Sequence, residues 1–231
     1  MKWSFWNDLI PYNEKYICFN TRSGATLVLG KNELDTQSPQ LYEMGILVDA
    51  ECDELEKWSK EYCNGKNDNS IIDMTIQLTQ QCQFQCIYCF EGMDKGNRVL
   101  TDKASQDIRN YIERRAPELK VLHITWFGGE PLLGIKRIRE LSQFFLEICQ
   151  RHGIRYYADM TTNGYTLTPV NCKILSDECQ VKRYIITIDG AKDTHDIRRP
   201  LRNGNGTFDV IWKNIGNLLD FGSLVTIRVT I

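Results

Sequence analysis

The sequence predicts an α/β fold: a parallel sheet of repeated strand–helix units, open or curled into a partial TIM-like barrel, preceded by a small α+β module. Three observations point there. From about Ile71 onward, short apolar or β-branched runs alternate with segments whose apolar residues recur at helical spacing, the pattern of βα units with right-handed crossovers. Before that point the apolar runs are shorter and separated by turn residues. Between the two lies Asn64-Gly65-Lys66-Asn67-Asp68-Asn69-Ser70, a polar stretch without large apolar residues that reads as a linker. The expected domains are therefore 1–68 and 69–231.

In the N-terminal module, Tyr16–Asn20 and Ala25–Leu29 flank Thr21-Arg22-Ser23-Gly24 and read as a hairpin with Gly24 at the turn. A polar, helix-compatible stretch follows, then a short strand at Gly45–Asp49 and a helix from Asp53 to Tyr62. In the larger part, Ile72–Thr79 is the first strand. Thr101 or Asp102 caps a helix carrying Ala104, Ile108, Tyr111 and Ile112, which Pro117 ends. Val121–Phe127 is the next strand, and Ile135, Ile138, Leu141, Phe145 and Ile148 mark an amphipathic helix closed by Gly153. Strands at 154–160 and 184–188 alternate with helices at 171–178 and 208–221. Leu224–Ile231 is the last strand; Val225, Ile227, Val229 and Ile231 are expected to face helices, and Thr226, Arg228 and Thr230 the lumen. A parallel strand with no helix after it leaves an open edge, so the chain is expected to be part of a larger protein.

Composition narrows the partners. With 28 Lys and Arg against 30 Asp and Glu and no basic block, the chain lacks the positive footprint of a nucleic-acid binder. Residues 1–10 lack the continuous apolar core of a signal peptide, and no stretch is long and apolar enough for a membrane span. Nine cysteines without a secretory signal point to a reducing compartment, the cytoplasm, and to metal or core roles for the thiols.

Three of those cysteines stand together in Cys82-Gln83-Phe84-Gln85-Cys86-Ile87-Tyr88-Cys89, directly after the first strand of the larger part. Thiolates ligate zinc and iron–sulfur clusters alike, so ligand softness does not separate the two. A closed zinc site wants four ligands, usually in two short-spaced pairs, and no second pair at that spacing exists here. Three cysteines on one loop suit a cubane cluster with one iron left open. In parallel α/β folds ligands collect at the carboxyl ends of strands. Three further segments fall at such ends: Phe127-Gly128-Gly129-Glu130-Pro131, Thr161-Thr162-Asn163-Gly164, and Thr187-Ile188-Asp189-Gly190 followed by His195-Asp196-Ile197-Arg198-Arg199. Each alone is ordinary turn chemistry. Together, at successive strand ends in one direction, they outline a site.

These four segments, in this order, resemble the radical S-adenosylmethionine (SAM) enzymes, and among them the SPASM-type peptide and protein maturases, including anaerobic sulfatase-maturating enzymes. The resemblance implies that Cys82, Cys86 and Cys89 ligate a 4Fe–4S cluster whose open iron takes SAM. It implies that Tyr88 lies by the adenine, that Gly128, Gly129 and Glu130 hold the methionine amino group, and that Thr187 and Arg199 help bind SAM. Asn163 and Asp189 are implied to lie near the cofactor or to brace its loops, and His195 and Asp196 belong to the same pattern. The partners implied are a precursor peptide or protein substrate and an electron donor such as a flavodoxin or ferredoxin. Such enzymes have a six-unit partial barrel followed by a cysteine-rich region with auxiliary clusters, neither of which is completed here. The segment Leu9-Ile10-Pro11-Tyr12-Asn13 leading into Asn20–Ala25 also resembles the leader module of peptide maturases, which binds a precursor as an added strand. Two other readings stand beside this one: radical SAM chemistry on a small molecule, and a non-catalytic metal-binding fragment.

Overall fold

The computed structural model describes residues 1–34, 37–92 and 96–230. The chain divides into two compact units, Met1–Asp68 and Asn69–Ile231.

In the first unit, β1 (Lys2–Trp3) pairs antiparallel with β5 (Leu47–Val48), while β2 (Asn7–Tyr12), β3 (Lys15–Asn20) and β4 (Thr26–Gly30) form an antiparallel sheet in that order. The hairpin expected over 16–29 is β3–β4, with Gly24 at φ 73° in its loop. Strand β2 was not expected, because Pro11 breaks a strand pattern. It is tolerated on an edge strand, where its missing N–H costs no ladder bond. Asn13, at φ 54°, makes the turn into β3. A buried Asn20 organises the unit: its Nδ2 donates to Ser4 Oγ, Asn7 Oδ1 and the Gly45 carbonyl, while its Oδ1 accepts from the Arg22 and Ser23 amides. Cys18, Leu29, Leu41, Ile46 and Leu47 are the small apolar core. After the short α1 (Pro39–Glu43), α2 (Glu54–Lys66) starts at Asp53, whose carboxylate accepts from the Glu56 amide at 2.9 Å. It runs four residues past Tyr62, so Asn64, Gly65 and Lys66 belong to its last turn and not to a linker.

The second unit is a five-stranded parallel sheet. Its strands β6 (Ile71–Gln77), β7 (Val121–Phe127), β8 (Arg155–Thr162), β9 (Val181–Thr187) and β10 (Leu224–Arg228) lie side by side in chain order. The connections contain α3 (Asp102–Arg115), α4 (Ile135–His152), α5 (Pro169–Lys173), α6 (Lys192–Arg198) and α7 (Phe208–Asp220). With every step in one direction, the right-handed crossovers expected of parallel strands put the helices on one face, as in a barrel segment. Strand β7 records this: Leu122, Ile124 and Trp126 are buried toward the helices, and Val121, His123, Thr125 and Phe127 alternate with them on the other face. Helix α4 supplies the matching stripe of Ile138, Leu141, Phe145 and Ile148, and Phe145 stacks on Trp126 at 6.3 Å. Gly153, at φ 68°, ends it as the sequence required. Thr101 caps α3, its hydroxyl accepting from the Ala104 amide at 3.1 Å. The expected helix over 171–178 starts earlier, with α5 passing into a π-helical turn over Ile174–Glu178.

Strand β10 is shorter than expected, ending at Arg228. Val225 packs against the core, whereas Ile227 and Val229 are exposed; Ile231 lies outside the described residues. Among the described residues no helix is long and apolar enough to cross a membrane.

Candidate functional site

The carboxyl ends of all five strands open into one cavity of about 180 Å³. The loop after β6 contributes Cys82, Phe84, Cys86, Tyr88, Cys89 and Phe90; β7 contributes Phe127, Gly128 and Gly129. Thr161, Thr162 and Asn163 come from β8, Thr187 from β9, Arg199 from beyond α6, and Arg228 and Thr230 from β10 and its end. Of the residues expected at the site, Cys82, Cys86, Cys89, Tyr88, Gly128, Gly129, Asn163, Thr187 and Arg199 share this wall. Glu130 and Asp189 do not.

The cysteine loop is held on two sides. Its base is pinched where Thr79 bridges Val99 antiparallel, with Gln80 N donating to Arg98 O at 2.9 Å and Leu100 N to Leu78 O at 2.8 Å. Its middle runs antiparallel to 198–202: Ile87 N donates to Arg198 O, Gln85 N to Pro200 O, and Arg202 N to Gln83 O, at 2.9–3.1 Å. The segment that carries Arg199 is therefore the backbone partner of the segment that carries the cysteines. This juxtaposition places a guanidinium beside three thiols.

Gly128 and Gly129, which the resemblance placed at the methionine amino group, also bring two stretches of backbone together. Gly129 N donates to Thr79 O at 2.8 Å and Glu130 N to Gln81 O at 2.9 Å, drawing the β7 turn tight against the stem of the cysteine loop. A Cβ at Gly128 would sit 2.5 Å from Thr79 O, and one at Gly129 2.5 Å from both Gln80 O and Gln81 O. Gly128 also adopts φ 142°, a conformation that favours glycine. The pair lets backbone approach backbone, and thereby reaches the cavity.

Glu130 is wholly buried and is not among the residues that line the cavity. Its Oε1 accepts from Thr162 Oγ1 at 2.7 Å and Leu132 N at 3.1 Å, and its Oε2 from Asn163 N at 2.8 Å. Burial pushes its carboxyl up, against these three donors and the nearby Arg199 charge. Through Glu130 the end of β7 fixes Asn163, whose Nδ2 then donates to Cys82 Sγ at 3.7 Å; Phe84 N donates to the same sulfur at 3.4 Å.

Asp189 lies under the opposite wall. Its Oδ2 accepts from the Tyr88 hydroxyl, and its Oδ1 from Thr230 N at 2.9 Å. Arg199 Nη1 donates to the Tyr88 hydroxyl at 2.7 Å, and Arg198 lies over the Tyr88 ring at 5.3 Å. Burial, then the bond to Asp189, pushes the Tyr88 phenol up, so it stays a donor to the carboxylate. Asp196 acts locally, its Oδ1 accepting from Thr207 N and Phe208 N and so capping α7. Sequence reasoning missed Thr207 and Asn214. Asn214 donates from α7 to the Gly164 and Tyr165 carbonyls, holding the 163–165 turn. Their partners are distant in the chain, and no local spacing marks them.

The cofactors implied by the sequence can be tested against this wall. Among the described residues, no three His, Cys, Asp or Glu side chains converge on a single ion. The three thiols instead line one cavity, with amide donors on Cys82 of the kind that support a ligating sulfur. Arg199 is more than nine-tenths buried, lines the cavity, and leaves its Nε without a hydrogen-bond partner among the described residues, a donor that suits an anionic group of a ligand. The donor set fits a cluster held by three cysteines beside a carboxylate-bearing molecule.

Known proteins agree. The radical SAM superfamily profile matches residues 76–231. The serine-type anaerobic sulfatase-maturating enzyme of Klebsiella aerogenes is 24% identical over 155 residues, covering 64% of this chain and 37% of that protein. A GTP 3′,8-cyclase of Staphylococcus aureus is 24% identical over 180 residues, covering 74% of this chain and 49% of the cyclase. A solved structure described as native anSMEcpe with bound AdoMet and Kp18Cys peptide superposes with a TM-score of 0.58 at 21% identity, covering 69% of this chain and 43% of that one. The chain thus spans less than half the length of these relatives. The cofactor pair expected above, SAM and a 4Fe–4S cluster, is that of the family, and on the match over 76–231 the chain belongs to the radical SAM superfamily.

Proposed function

We propose that this chain is the SAM-cleaving part of a peptide or protein maturase. The observation that carries the reading is the convergence of Cys82, Cys86 and Cys89 with the buried Arg199 on one cavity at the strand ends. Cys82, Cys86 and Cys89 would hold the cluster; Arg199, Thr187 and Asn163 would orient SAM, and Tyr88 would border it. When bound, this pair supplies a 5′-deoxyadenosyl radical by one-electron reductive cleavage of the sulfonium, the electron coming from a donor of the flavodoxin or ferredoxin class. The chain's own work is placement and exclusion of water. Arg199, held by the Tyr88 hydroxyl and seated 5.8 Å from the Phe84 ring centre, presents its guanidinium in a fixed direction. Phe90 and Phe127 stack at 6.5 Å beside the cavity and shield it. Thr161, Arg228 and Thr230 give the cavity polar contacts for a peptide backbone or side chain.

The Met1–Asp68 unit supports a peptide as substrate. Its sheet ends in β4, an edge strand without proline in which only the Gly30 N–H is turned to a side chain, Glu33 Oε2 at 2.7 Å, whereas β2 at the other edge lacks a donor at Pro11. An extended precursor segment would add to β4 as a fourth strand. The similarity to a GTP cyclase favours a small molecule, but radical chemistry on a small molecule has no use for such an edge, and the sheet supports the peptide reading.

The test is anaerobic reconstitution with iron and sulfide, followed by electron paramagnetic resonance of the reduced protein with and without SAM. A reduced 4Fe–4S signal that SAM alters is expected. In Cys82→Ala, Cys86→Ala and Cys89→Ala combined, that signal should vanish. Tight zinc with no cluster, or a cluster indifferent to SAM, overturns the reading.

A further inference from the structure

Behind the cavity wall, out of its lining, lies a wholly buried histidine that the chemistry above does not use. His195 Nδ1 accepts from Asp189 N at 3.2 Å, so that nitrogen carries no proton. The ring's proton is then on Nε2, which faces Thr207 Oγ1 at 3.1 Å. Thr207 Oγ1 donates its own proton to Arg199 O at 2.8 Å. Every donor in this chain has one acceptor and every direction is set. The far side closes the circle: Arg199 Nη1 donates to the Tyr88 hydroxyl, which donates to Asp189 Oδ2. Residues 189 and 199 are therefore tied twice, once through His195 and Thr207 behind the wall and once through Tyr88 within it.

We infer that His195, acting with Thr207, is a positioning residue for SAM: the pair holds the Asp189 turn and the Arg199 backbone at the spacing that aims Tyr88 and Arg199 into the cavity. This rests on the proposed function. His195 bonds neither Phe84 N nor Asn163 Nδ2, the donors to Cys82 Sγ, and Thr207 holds the Arg199 carbonyl, not the Arg198 and Pro200 carbonyls that bond the cysteine loop, so its effect should fall first on SAM. The charged groups around the ring are Arg199, Asp196 and Asp189. Burial first, then the Arg199 charge, holds the imidazole below its ordinary 6.5. A second proton would have to go to Nδ1, against the Asp189 N–H. In the unfolded chain the histidine takes up its proton first as pH falls, so the network's contribution to stability is complete above about 6.5 and declines below it.

The experiment uses the reconstituted chain, its reduced cluster titrated with SAM by electron paramagnetic resonance. Thr207→Val keeps the volume and removes the hydroxyl relay; His195→Asn keeps an acceptor for Asp189 N and does not titrate. In Thr207→Val, iron content and the SAM-free signal should match the parent chain, while the SAM concentration for half-maximal change rises about tenfold, a usual size for a supporting hydrogen bond. His195→Asn should lie between the two. The parent chain's SAM affinity should fall with pH only beneath the ordinary histidine range, where the folded imidazole takes up its proton, and that fall should be absent in His195→Asn. Unaltered SAM titration in both variants overturns the inference while leaving the proposed function in place. Loss of the cluster together with SAM response also overturns it, since the pair would then support the whole site. A parent chain that never responds to SAM overturns both.

Discussion

Gly129→Ala is expected to lower the stability of the second unit by about 3 kcal/mol or more, the upper end for forcing atoms into a packed site. The new Cβ would meet Gln80 O and Gln81 O, both at 2.5 Å, and Gln80 C at 2.8 Å. These are backbone atoms, and the same stretch is fixed by Gln80 N to Arg98 O and by Glu130 N to Gln81 O. No side-chain rotamer can relieve the clash. The loop stem must move, breaking the Gly129 N to Thr79 O bond and loosening the base from which Cys82 starts. For a unit of this size, about 3 kcal/mol corresponds to a midpoint lower by roughly 6–12 °C. Thermal unfolding followed by circular dichroism measures it, with Gly216→Ala as the comparison: that glycine lies in α7 with nothing within 4 Å of a new Cβ, and alanine there should be neutral or stabilising. A Gly129→Ala midpoint within about 2 °C of the parent would show that the stem has slack the contacts deny. Iron loading should fall in parallel, because the loop that presents the thiols would no longer be anchored.

That glycine pair illustrates what a sequence discloses and what it withholds. Elements whose residues answer to their own neighbours were legible: α4 from its stripe and Gly153, β7 from its bounds, α3 from Thr101. The four segments at strand ends were legible as a group, because chain direction in a parallel sheet puts them all on one rim. What each residue does there depends on partners far along the chain. Gly128 and Gly129 accommodate backbone at 79–81, Glu130 answers to residues 132, 162 and 163, and Asp196 caps a helix eleven residues on. Spacing carries none of this. Strand β2 was hidden for a similar reason: Pro11 is acceptable only because its strand is at an edge, and an edge is a property of the sheet. The linker was placed too early because Asn64 and Gly65 disfavour helix locally, and α2 nevertheless continues to Lys66.

Glu130→Ala is the other substitution expected to act strongly, at a cost of about 3–5 kcal/mol, since each buried donor left unsatisfied costs roughly 1–3 kcal/mol. The carboxylate is the acceptor for Leu132 N, Thr162 Oγ1 and Asn163 N at once, in a site without exposure. Alanine would leave those donors facing a void. Glu130→Gln separates charge from shape: it preserves volume but turns one oxygen into an N–H₂ group that must face a donor, for about 1–3 kcal/mol. The order of urea midpoints should therefore be parent, Gln, Ala. The cavity should register both changes even though Glu130 does not line it, since Asn163 N loses its acceptor and Asn163 Nδ2 is a donor to Cys82 Sγ. A side chain that met the ammonium of SAM from within the cavity would behave otherwise: its glutamine variant would keep its stability and iron and lose SAM response alone. Glutamine and parent chains with equal urea midpoints and equal iron, but unequal SAM titrations, would thus return Glu130 to the ligand. Lowered stability with impaired loading would leave it as the brace between β7, β8 and the first cysteine.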